Sequence, residues 1–111
     1  MAKFLSVPKN IEAMYNAEYG EWNDDEHYIW YLQDEDISFL CKEKVFDLMN
    51  TVLGTMIDDY EDEDIYYQKL FYNKEHLYEK LNCCQCKKQV EQLKKMIEKA
   101  IESRTLLSIT L

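Results

Sequence analysis

Apolar positions along this chain change period several times, and each change marks an element. Val45, Met49, Val52, Met56 and Tyr60 step by four, three, four and four, and Phe46, Leu53 and Ile57 widen the stripe. That is amphipathic-helix spacing. It predicts a helix behind the start signal Asp34-Glu35-Asp36, whose acids suit the positive end of a helix dipole. Gly54 interrupts the stripe at a cost of about 1 kcal/mol relative to Ala, for which close packing of a neighbouring helix is the simplest reason. A second stripe, Cys86, Val90, Leu93, Ile97, Ala100 and Ile101, predicts a helix from about Cys83 to Glu102 with lysines opposite. Between them Ile65, Leu70, Phe71, Leu77, Tyr78 and Leu81 predict one bent helix, or two with Asn73 as a cap.

The two ends read differently. Pro8 suits the first turn of a helix whose apolar side is Ile11, Met14, Tyr15 and Tyr19, with Gly20 as its stop. Asn23-Asp24-Asp25 offers a cap for the segment Glu26 to Leu32. There Tyr28, Trp30 and Leu32 alternate as in a strand, while His27, Trp30 and Tyr31 would share a helix face; both readings stand. Leu107, Ile109 and Leu111 alternate with Ser108 and Thr110, which predicts a strand. Its cover is either the segment Lys3 to Val7 or a second copy of the chain. Two glycines and one proline are too few turn formers for a many-stranded sandwich or barrel. The expected architecture is therefore mainly α: one acidic helical domain over residues 1–111, a four- or five-helix bundle with a small strand pair from the two ends.

Charge changes the picture most. From Asn10 to Tyr66 there are 17 Asp and Glu against only Lys42 and Lys44. After Glu75 the balance turns mildly basic. Trp22, Tyr28, Trp30, Tyr31, Tyr60, Tyr66 and Tyr67 interleave the acidic stretch. Such a surface suits a basic protein partner and disfavours direct binding of nucleic acid. The densest run is Asp58-Asp59-Tyr60-Glu61-Asp62-Glu63-Asp64, followed by Tyr66 and Tyr67; Asp24, Asp25 and Glu26 form a second group. These twelve residues are the expected partner-binding set. On helical turns the carboxylates would imitate the charge density of a nucleic-acid backbone. The aromatic cluster Trp22, Tyr28, Trp30 and Tyr31 reads first as core and second as a partly exposed platform.

Other chemistries find weaker support. A calcium loop needs a glycine turn, which the acidic run lacks. Cys83 and Cys86 with His76 and either Cys41 or His27 would complete a zinc set only by assembling scattered ligands. The simpler reading places Cys83 and Cys86 in the core as reduced thiols, with no metal and no cofactor. His27 beside Asp24, Asp25 and Glu26 is the one acid–base grouping, and no nucleophile elbow or phosphate-binding glycine loop accompanies it. The chain is expected to be non-enzymatic. It carries no secretory leader or membrane-length apolar run, so a cytoplasmic location is expected, as a monomer or homodimer.

Asp64-Ile65-Tyr66-Tyr67 resembles the acidic-aliphatic-Tyr-Tyr stretch of the colicin-type immunity proteins, a likeness of four residues. That resemblance implies a small acidic helical bundle that inhibits a nuclease toxin. In size and charge the chain is also similar to phage proteins that mimic DNA to block restriction or CRISPR nucleases. The expected function is thus an acidic inhibitor of a nuclease, CRISPR effector or DNA-binding protein. The alternatives are a self-associating structural or assembly protein and a small metal-binding regulator.

Overall fold

The computed structural model describes residues 3–57, 62–85 and 87–111. Its fold is α+β, which corrects the helical bundle. Four strands, β1 (Phe4–Pro8), β2 (His27–Tyr31), β3 (Asp62–Tyr66) and β4 (Leu106–Thr110), form one antiparallel sheet in the order β2-β1-β4-β3. Five helices accompany it: α1 (Ile11–Glu18), α2 (Asp34–Lys42), α3 (Val45–Leu53), α4 (Tyr67–Leu81) and α5 (Lys87–Ser103). β1 and β4 pair as the centre of this sheet rather than as an appendage to a bundle. The tail is thus covered by its own chain. Leu5, Val7, Ile65, Leu107 and Ile109 point to one face and join Leu70, Leu77, Leu93 and Ile97 in the core.

Local chemistry explains the departures from the predicted elements. Pro8 ends β1 instead of starting a helix. It faces His27 on β2, while the ladder to β4 stops at Ser6, so no partner there needs its missing N–H. Asn10 caps α1, its Oδ1 accepting from the Ala13 N–H at 2.8 Å. Ala13 is the buried position of α1; of the predicted apolar side Met14 is half-buried, while Ile11, Tyr15 and Tyr19 are exposed. The long helix behind Asp34 is two helices, broken at Lys44 (φ 55°). The second ends at Gly54 (φ 67°). Apart from its chain neighbours, no atom of the described residues lies within 4 Å of the place a Cβ would take, so Gly54 serves a left-handed stop and not close packing. Asn50 then folds the chain back: its Oδ1 accepts from the Ile57 N–H (2.7 Å) and the Thr55 hydroxyl (2.8 Å), and its Nδ2 donates to the Ile57 carbonyl (3.0 Å). α4 is a single helix, with Asn73 inside it donating to the Lys69 carbonyl.

The cysteines are also placed differently. α4 ends at Leu81, so Cys83 and Cys84 lie in a turn without helical spacing. Cys84 is buried and Cys83 exposed, which corrects the expectation of Cys83 in the core; Cys86 lies outside the described residues. Among the described residues, no three His, Cys, Asp or Glu side chains are grouped to hold a metal ion, and no helix is long and apolar enough to cross a membrane.

α4 and α5 are tied by a polar strut. The Tyr78 hydroxyl donates to Glu98 Oε1 at 2.8 Å, and Lys74 Nζ lies 2.6 Å from the same oxygen. Burial, reinforced by Glu98, holds the Tyr78 phenol well above its ordinary range. The Lys74 hydrogen bond outweighs partial burial and lowers the Glu98 carboxyl below its usual range. A lowered folded-state value stabilises the fold above the unfolded carboxyl range, about pH 4.3. That contribution is lost as pH falls through the folded value. Glu98→Gln is expected to cost up to about 1 kcal/mol at pH 7, because the pair is partly exposed. Urea melts of the variant and parent should differ at pH 7 and converge in acid.

Candidate binding surface

Alternation along each strand turns a second set of side chains to the face opposite the core. The register arranges them in rows. One row runs Asp62, Thr110, Phe4 and Tyr31; the next runs Asp64, Ser108, Ser6 and Ile29. Beyond it Tyr66 pairs with Leu106 and Pro8 with His27. Carboxylates therefore line the β3 edge of this open face and aromatic rings the β2 edge. Phe4 lies 5.9 Å from the Tyr31 ring and 6.3 Å from Trp22, and Trp22 stacks on His27 at 3.7 Å and 20°. Trp22 Nε1 donates to Asp24, and Asn23 Oδ1 accepts from the Asp25 N–H, which fixes the single 3-10 turn Asp24–Glu26 beside the ring.

Between this face and α1 lies a cavity of about 280 Å³. Glu18, Asp62, Asp64, Trp22, Tyr66 and His27 contribute to its wall, with the Ser6 and Ser108 strand positions at its floor. His27 is 5% exposed. Its Nδ1 lies 3.1 Å from the Asn23 carbonyl oxygen, and its Nε2 is buried without a hydrogen-bond partner among the described residues. No lysine or arginine forms an ion pair with Glu18, Asp62 or Asp64 among the described residues. The lysines of α5 lie on the other side of the sheet, where α5 packs against β1 and β4, so the molecule is electrically polarised.

The structure brings together two parts of the expected set and separates others. Asp62, Asp64 and Tyr66 share the open face. Asp24, Asp25 and Glu26 flank it through Trp22 and His27. Glu63 faces the other way, opposite Ile109, and Tyr67 begins α4, half-buried. Asp58, Asp59, Tyr60 and Glu61 lie outside the described residues. The described part of the acidic run, Asp62 to Asp64, lies in an edge strand and not in a helical junction. On a strand only alternate side chains share a face, about 6.8 Å apart. Measured along the axis, that is sparser than the one charge per roughly 3.4 Å of helix axis carried by one DNA strand. The aromatic cluster is divided: Trp30 packs against the core and Tyr28 shares its face of the sheet, beneath Lys99 of α5, while Trp22 (44%) and Tyr31 (51%) are substantially exposed on the open side. Sequence reasoning missed Glu18, Ser6 and Ser108. The alternation of Leu5-Ser6-Val7 and Leu107-Ser108-Ile109 was the signal that places both serines on one face.

Searches against protein-family models, curated proteins and solved structures find no match for this chain. The colicin-type likeness is not carried by the fold, since Asp64, Ile65 and Tyr66 are in a strand.

Proposed function

We propose that this protein is a non-enzymatic, cytoplasmic inhibitor that binds the basic, nucleic-acid-binding surface of a nuclease, CRISPR effector or DNA-binding protein. The observation that supports this reading is the open sheet face, on which carboxylates without ion partners among the described residues stand opposite exposed aromatic rings. Carboxylates occupy the positions where a partner's lysines and arginines would otherwise hold phosphates. The aromatic rings supply anchoring area, since tyrosine and tryptophan are enriched at interface hot spots. The charge asymmetry orients and speeds the encounter. Tail-mediated self-association loses its motivation, because β4 is paired on both sides within its own chain.

The test begins with capture from nuclease-treated lysate. The captured protein is then purified and its nucleic-acid binding titrated with this protein. Loss of nucleic-acid binding, with a complex that weakens as salt rises, is the expected result. Asp62→Asn with Asp64→Asn should slow association several-fold and flatten its salt dependence. Both positions are exposed, so stability should stay within about 0.5 kcal/mol. A salt-insensitive complex that ignores both substitutions, or a homodimer with no other partner, would sink the reading.

A further inference from the structure

We infer that the cavity on the open sheet face receives one cationic side chain, an arginine of the partner; the inference rests on the basic-partner reading above. The volume, about 280 Å³, falls just below the roughly 300–1,000 Å³ of small-molecule sites. It suits one side chain rather than a nucleotide. The charged groups on its wall are Glu18 from α1 and Asp62 and Asp64 from β3, and no lysine or arginine among the described residues joins them. A phosphate or carboxylate would meet three like charges there.

His27 supplies the independent observation. A carbonyl only accepts, so the contact with Asn23 requires the proton on Nδ1. In the neutral ring Nε2 is then an acceptor. It is buried and unpaired among the described residues, an unusual state for a polar atom. Carboxylates, the Ser6 and Ser108 positions and the imidazole ring that carries this buried, unpaired nitrogen border the cavity, a lining that suits a ligand rich in N–H donors. Trp22 and Tyr66, each about half exposed, add ring faces. A guanidinium meets these demands together: five N–H donors in a plane, a fixed positive charge and a surface that stacks on aromatic rings. A lysine ammonium presents its donors from one point and does not stack.

The test uses the full chain and N-acetyl-arginine amide, with N-acetyl-lysine amide at matched ionic strength. NMR signals of the Trp22 indole and the His27 imidazole are the readout. The arginine amide should produce saturable shifts in both rings. The lysine amide should bind about five- to tenfold more weakly. Asp62→Asn with Asp64→Asn should cost the arginine amide at least that factor. Equal, non-saturating shifts with both amides would reduce the cavity to diffuse attraction and overturn the proposal, as would stronger shifts with inorganic phosphate. The two readings fail separately. A basic partner that binds salt-dependently while the arginine amide leaves both rings unmoved ends the pocket alone. Saturable arginine binding without any basic partner upholds the pocket and ends the partner reading.

Discussion

Deletion of residues 106–111 is expected to abolish cooperative folding. β4 is hydrogen-bonded on both sides, to β1 and to β3, so its loss takes from β3 its one partner in the sheet and from β1 one of its two. It also removes Leu106, Leu107 and Ile109, all buried. Full burial of each such side chain is worth about 1.5–3 kcal/mol. Three of them approach the roughly 5–15 kcal/mol that holds a typical domain together. The helices would persist only in part, because segments of about 15 residues are marginal without tertiary packing. Urea titration followed by circular dichroism should show a broad, non-cooperative decline. A sharp transition at the parent's midpoint would show that the sheet does not depend on β4. Conversion of a dimer to a folded monomer would show that the tail serves a second copy.

Leu5→Ala should destabilise the protein by about 3–5 kcal/mol, toward the upper part of the range for buried leucines. Leu5 is fully buried, faces Trp30 on β2 and Ile109 on β4, and lies in a strand bonded on both edges. A backbone held from two sides cannot collapse into the space left by the lost methyls. The same change at Leu32, near the sheet's edge and 8% exposed, should cost less. Chemical denaturation of the two variants checks the order. Equal losses would mean that the central strands yield as readily as the periphery.

The sequence made α5 and β4 legible because each has one dry face and one wet face at a constant period. β3 was hidden for a physical reason. Asp62, Glu63 and Asp64 are poor strand formers, and an edge strand with a solvated face carries little hydrophobic pattern. What makes it a strand is the apolar β4 beside it, whose paired residues lie 40 to 48 positions downstream. Gly54 was visible but misjudged, since a stripe that continues in the sequence beyond a left-handed stop does not continue in space. The binding surface was half legible in the same way. Charge density pointed to residues 24–26 and 58–64 separately. Only the strand order, with β1 and β4 between β2 and β3, sets the acids across from the rings of Phe4, Trp22 and Tyr31.

β1 can meet β4 only by joining residues roughly a hundred positions apart. Helices form in about a microsecond and β1 can pair early with nearby β2, but closing so long a loop delays the central ladder. Chains dominated by such pairings fold in milliseconds to seconds. During synthesis, at about 5–20 residues per second, β1 emerges roughly 5–20 seconds before β4. For that interval the backbone of Phe4 to Ser6 has one edge satisfied by β2 and the other bare. That bare edge is where a nascent chain is open to capture by a neighbour on the same polysome.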